Sequence, residues 1–113
     1  MPSAVYQLFH QAMAERQQVV CTYQGYRREL CPIILGHTGG VEKALTFQFA
    51  GQSSKRLPRE GAWRCLVLAD VTFATLRDGS WHSGGSHRSE QSCVKDVDYD
   101  VNPDSPFNPR FKL

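Results

Sequence analysis

Glu15-Arg16-Gln17-Gln18-Val19-Val20-Cys21-Thr22-Tyr23-Gln24-Gly25 is the stretch in which the chain changes its period. Before it, Val5, Leu8, Phe9, Ala12 and Met13 recur at the spacing of one helix face. Ser3 stands where an N-cap belongs, so the pattern predicts a helix from about Ala4 to Arg16. Such a short helix needs a partner for its apolar face. From Val19 the period is two: Val19, Cys21 and Tyr23 point one way, Val20 and Thr22 the other.

The rest of the chain keeps that period. Gln24-Gly25 predicts a turn, and Tyr26 to Leu30 a second strand that ends at Pro32 or runs along an edge. After Thr38-Gly39-Gly40, Leu45, Phe47 and Phe49 alternate with Thr46 and Gln48. Residues 50–62 are polar and contain Gly51, Pro58 and Gly61, which predicts a loop. Trp63 to Leu68 and Val71 to Leu76 are two more strands. Residues 81–92 read as loop. Cys93 to Val101 reads as an edge strand whose Asp96, Asp98 and Asp100 face away from Val97 and Tyr99. Pro103, Pro106 and Pro109 predict an extended tail over 102–113. One helix before five or six short strands predicts a mainly-β domain over 1–101, a small barrel.

Composition bounds the function. At 113 residues the chain has room for one core. A net charge of +2 does not imply nucleic-acid binding by itself, so a local basic patch has to supply it. No apolar run approaches the ~20 residues that span a bilayer. Met1-Pro2-Ser3-Ala4 lacks the basic stretch and apolar core of a signal peptide, which predicts a cytoplasmic protein. In that compartment Cys21, Cys31, Cys65 and Cys93, with no CxxC pair among them, are expected to be four free thiols packed as small hydrophobes.

The order of motifs resembles the WYL domain, a bacterial Sm-like, SH3-type β-barrel. The likeness runs from about Leu8 to Leu76. Val19-Val20-Cys21-Thr22-Tyr23-Gln24-Gly25 is similar to the family's strand ending in Tyr and a turn. Arg27-Arg28-Glu29-Leu30-Cys31-Pro32 with Leu35-Gly36 resembles its "RE-x-x-P" and "L-G". Arg64-Cys65-Leu66-Val67-Leu68 resembles its "R-x-F-x-L". Leu45-Thr46-Phe47 stands where the naming triad belongs, Ala69-Asp70 where the family often has Asp-Arg, and the usual helix-turn-helix is missing, as in a divergent stand-alone member. The resemblance implies a regulatory or ligand-sensing domain for nucleic acid or a nucleotide-like anion, acting on a partner. The alternative is a protein–protein interaction module whose barrel edge, or tail with Phe107, Phe111 and Leu113, docks a partner without nucleic acid.

The candidate ligand-binding residues are Arg64, Arg28, Tyr23, Gln48, Arg56 and His82. Arg64 shares a strand face with Leu66 and Leu68. It is either a phosphate clamp, since a guanidinium binds two oxygens at once, or half of a structural ion pair with Asp70 or Glu29. Arg27 and Arg28 are a second basic contact or a solvated face. Tyr23 is a stacking surface or core, and Gln48 a ligand contact or a water-facing amide. Lys55, Arg56 and Arg59 form a basic loop that attracts phosphate or merely keeps the surface soluble. In Trp81-His82-Ser83-Gly84-Gly85-Ser86-His87, glycines let backbone amides converge on an anion, while the default is a flexible loop with Trp81 tucked onto the barrel. No zinc spacing, paired-carboxylate site, phosphate loop or dinucleotide fingerprint is present. A binding protein without metal or cofactor is therefore expected rather than an enzyme. The one catalytic alternative pairs Cys93 with His82 or His87.

Overall fold

The computed structural model describes residues 2–83 and 91–113. Helix α1 spans Ala4–Glu15 and is followed by β1 (Gln18–Tyr23), β2 (Tyr26–Thr38), β3 (Val41–Gly51) and β4 (Ala62–Val67). A 3-10 turn at Leu68–Asp70 leads into β5 (Val71–Arg77), and β6 (Asp96–Asp100) comes last. Ser3 caps the helix by accepting from the Tyr6 amide at 3.1 Å. Arg16, in the left-handed region, ends it. The buried stripe is Tyr6, Phe9, Ala12 and Met13; Val5 and Leu8 are only half-buried. The stripe rotates toward Tyr6 because that hydroxyl donates to the buried Asp98 at 2.5 Å.

All pairings are antiparallel, in the order β4-β3-β2-β1-β5. Four strand spacings in a flat sheet put its edges about 19 Å apart. The 3-10 turn joins β4 to β5 with three residues, and the steps from Val67 to Val71 reach only about 13 Å. The sheet must therefore curl, and the expected mainly-β fold, an N-terminal helix followed by a small antiparallel sheet, is what the structure shows. β2 does not end at Pro32. The pairing with β3 shifts register between Pro32 and Ile34, and the proline sits at that irregularity, where a missing amide is tolerated. The continued strand pairs with β6 along the edge that β1 vacates.

Two apolar clusters result. Val19, Cys21, Tyr23, Leu30, Leu35, Ala44, Leu66, Leu68 and Val71 pack with the helix stripe inside the curl. Cys31, Ile33, Ile34, Leu45, Phe47, Cys93, Val94 and Val97 form a second cluster on the outer side, joined by Trp63, Trp81 and Phe107. Trp81 thus tucks onto the sheet as expected.

Three expectations are corrected here. Cys65 and Cys93 form a disulfide, leaving only Cys21 and Cys31 as free thiols. Cys65 faces outward from β4, because Arg64 and Leu66 on either side of it point inward, and the chain entering β6 passes over that outer face. β6 starts at Asp96, and its acids do not face water: Asp98 and Asp100 are buried. The tail covers them. It is turned rather than extended, and its Arg110 and Phe111 amides donate to the Val97 and Asp98 carbonyls, both at 2.9 Å. Among the described residues no helix is long and apolar enough to cross a membrane.

Candidate functional site

The site is built around Gln48. Every second residue of β3 faces the curl, and Ala44, Thr46 and Gln48 occupy those positions, all without solvent exposure. Thr46 donates to the Arg64 carbonyl at 3.1 Å, which fixes β4 beside it. The Gln48 Oε1 accepts from Arg28 Nη1 and from Arg64 Nε, each at 3.1 Å. Its Nε2 donates to the carbonyls of Ala50 at 3.1 Å and Gln52 at 3.0 Å. The reverse amide orientation would set an NH2 group against two guanidinium groups, so these partners assign the oxygen and nitrogen.

Arg28 is 4% exposed. Its Nε and Nη2 reach the Tyr23 carbonyl at 3.4 Å, and its guanidinium lies 5.5 Å from the ring centre of Tyr23 and 5.7 Å from that of Tyr26. Burial, and then the charge of Arg64, hold its pKa below the ordinary arginine value. A cation so placed normally has a carboxylate partner. Here, among the described residues, no carboxylate pairs with Arg28 or Arg64. Glu29 is taken by Arg27 at 3.0 Å and Arg77 at 2.6 Å, and Asp70 does not reach Arg64. The ion-pair alternative for Arg64 is therefore not what the structure shows. Among the described residues the half-buried Arg64 side chain bonds only through its Nε, which leaves both outer nitrogens of the fork for a ligand.

Local backbone geometry makes room for this arrangement. Opposite Arg28, Gly51 has φ +97°, and a Cβ there would lie 2.5 Å from the Arg27 carbonyl oxygen and 3.0 Å from the Arg28 Cα. Only glycine lets the strand cross so close, and the Gln52 amide then donates to the Arg27 carbonyl at 2.7 Å. The basic loop 52–61 thus leaves the sheet beside the arginine pair, and Gln48 holds its first carbonyl.

Four of the six sequence candidates come together: Arg28, Gln48, Arg64 and Tyr23. The Tyr23 ring, 7% exposed, lies beneath Arg28, and its hydroxyl accepts from the Val67 amide at 3.1 Å. Arg56 is exposed in the loop with Lys55 and Arg59 and is bonded to none of the four. His82 is not part of the group. Its ring stacks on Phe49 with centroids 4.2 Å apart, on the opposite side of β3 from Gln48, and its amide contacts the Cys31 sulfur at 3.4 Å. Gly84, Gly85 and His87 lie outside the described residues. Cys93, the nucleophile of the catalytic alternative, is held in the disulfide. Sequence reasoning missed a second polar cluster, in which Asp98 accepts from Tyr6, lies 3.2 Å from His37 Nδ1 and 3.7 Å from Arg110 Nε. Among the described residues no group of three His, Cys, Asp or Glu side chains could hold a metal ion. No protein-family model, curated protein or solved structure matches the chain.

Proposed function

We propose that this domain binds a nucleic acid or nucleotide-like anion at Arg64 and Arg28 and serves as a ligand-sensing, regulatory module, as its resemblance to WYL domains implies. One observation carries the reading: two guanidinium groups share one buried neutral oxygen with no carboxylate among the described residues. An amide oxygen satisfies hydrogen bonds without cancelling charge, so the pair keeps its positive potential in a partly desolvated setting. The fork of Arg64 offers two parallel donors, which suits a phosphate. Lys55, Arg56 and Arg59 on the adjoining loop add screened, longer-range attraction. The interaction-module alternative is less favoured because the tail is engaged within the chain. Phe111 stacks on Tyr99 with centroids 5.4 Å apart, and Phe107 packs against the outer cluster.

The test is a fluorescence-anisotropy titration with labelled short oligonucleotides and nucleotides across a salt series, each variant checked by circular dichroism. Affinity should fall steeply with salt. Arg64→Ala should weaken binding about tenfold or more, since a charge-assisted bond contributes roughly 1.5–3 kcal/mol. Arg64→Lys should keep most of that deficit, because it loses the fork. Arg56→Ala should cost less. Gln48→Glu places a carboxylate between the arginines and should abolish binding in a folded protein. A folded Arg64→Ala that binds like the parent, or a parent that binds none of these anions, overturns the reading.

A further inference from the structure

Arg28 lies between two tyrosine rings, Tyr23 and Tyr26, and the two differ. Tyr23 is sealed in the core, and its hydroxyl is taken by the Val67 amide. Tyr26 is half-buried, and its hydroxyl makes no hydrogen bond among the described residues. Arg28 covers one face of the Tyr26 ring, and the exposed part is aromatic surface held beside a cation.

The register brings this ring to the arginine site. Tyr26 pairs with Tyr23 across the hairpin and stands two residues before Arg28, so all three side chains share the inner face of the sheet. The start of β2, the end of β3 and the start of β4 meet at one end of the curl, where Arg28 pairs with Gly51 and Gln48 with Ala62. Gln48 leans toward that end, since its Nε2 reaches the Ala50 and Gln52 carbonyls. Arg64 pairs with Thr46, yet its Nε meets the Gln48 Oε1, one inner-face position nearer the same end. The Arg64 side chain therefore runs toward Arg28 and Tyr26. Tyr26, Arg28, Gln48 and Arg64 form one unbroken line of contacts. The basic loop leaves from this rim too, because the Gln52 amide bonds the carbonyl of Arg27, the residue after Tyr26.

We propose that Tyr26 is the stacking surface for the base of a nucleoside phosphate, free or within a single strand, whose phosphate engages Arg64; this rests on the anion-binding reading above. An aromatic face stacks on any base while the adjoining cations attract the phosphate. A phosphate carrying an aliphatic tail would need apolar surface beyond the ring, and the exposed rim there is Gln24, Gly25, Arg27 and Gln52. A duplex keeps its base faces stacked inside, so the partner is unpaired. The stacking role expected of Tyr23 thus passes to its cross-strand neighbour.

The experiment titrates the intact chain with thymidine triphosphate, an oligothymidylate and inorganic triphosphate, which offer phosphate with and without a base. Tyr26→Ala should weaken binding of a thymidine probe about five- to a hundredfold, the range of base–aromatic stacking, and leave inorganic triphosphate unchanged. Loss in both thymidine probes assigns the site to a single nucleoside phosphate, and loss in the oligothymidylate alone assigns it to a strand. Tyr26→Phe should bind like the parent, because stacking needs the ring and not the hydroxyl. Tyr26→Leu keeps apolar bulk beside Arg28 and should show the same split where alanine disturbs the fold. If a folded variant loses all three probes equally, Tyr26 only positions Arg28, and the stacking role is overturned. If the variants bind every probe as the parent does, or the parent prefers inorganic triphosphate to both thymidine probes, the proposal is overturned and the arginine site stands. If the parent binds none of the three, the anion-binding reading itself fails.

Discussion

Removing the Tyr6 hydroxyl isolates one buried hydrogen bond that ties the helix to the last strand. Tyr6 donates to Asp98 at 2.5 Å, and Asp98 is 4% exposed. A hydrogen bond to a charged group contributes roughly 1.5–3 kcal/mol. In Tyr6→Phe the carboxylate keeps His37 at 3.2 Å, so it is not orphaned. Arg110, at 3.7 Å, is largely exposed and adds little. The cost should therefore fall near the lower part of the range, about 2 kcal/mol. With an unfolding entropy of about 2.1 cal/mol/K per residue, that lowers Tm by about 8 °C for this chain. Urea denaturation and scanning calorimetry measure both numbers. A pH series adds a check that ring packing cannot mimic. Burial, reinforced by the bond to Asp98, raises the Tyr6 phenol above its ordinary value of 10.0. Above pH 10 the unfolded chain loses this proton before the folded one does. The contribution is thus complete below pH 10 and declines as pH rises further. The gap between parent and Tyr6→Phe should narrow there. The Cys21 thiol, pushed by burial to about 11, titrates in both proteins and cancels from the difference. A cost below about 0.5 kcal/mol at neutral pH, or a gap that stays constant above pH 10, refutes the argument.

The other expected outcomes concern covalent and steric ties. Denatured, unreduced protein should present two thiols, Cys21 and Cys31, to a thiol reagent, and reduction of Cys65–Cys93, 28 positions apart, should lower stability by about 3.5 kcal/mol in a denaturation curve. A count of four thiols contradicts the pairing. Gly36→Ala should cost about 3 kcal/mol or more, because its Cβ would lie 2.0 Å from the Asp96 carbonyl oxygen, which is backbone and cannot swing aside. A thermal melt matching the parent's would mean that β6 does not lie against β2 as described.

The helix, the change of period at Val19 and the five barrel strands were legible because each buries one face, which writes alternation into the sequence. Arg28 entered only as a second basic contact or a solvated face, whereas Arg64 was legible because an arginine in line with apolar residues demands a partner. The role of Gln48 was not. Both faces of β3 are buried, so alternation cannot tell an amide facing water from one facing the interior. His82 was misplaced for a related reason: its ring is held by Phe49, on a face that only the later chain covers. The burial of Asp98 and Asp100 was hidden as well, since acids on an edge strand ordinarily face solvent, and here α1 meets that strand through Tyr6. The disulfide was unreadable because cysteine spacing fixes no connectivity. It also removes, for this pair, the reduced-thiol premise behind the cytoplasmic expectation.

β2 hydrogen-bonds to three strands and contributes to both apolar clusters, with Leu30 and Leu35 inside and Cys31, Ile33 and Ile34 outside. Neither cluster owns a backbone of its own. The outer layer cannot melt without stripping partners from the strand that also carries Arg28, and the inner barrel cannot open without exposing the back of the outer layer. The molecule therefore has two cores but a single cooperative unit, whose slowest-exchanging amides belong on β2. The arginine end and the β6 pairing, on the far side of the fold, thus share one continuous strand.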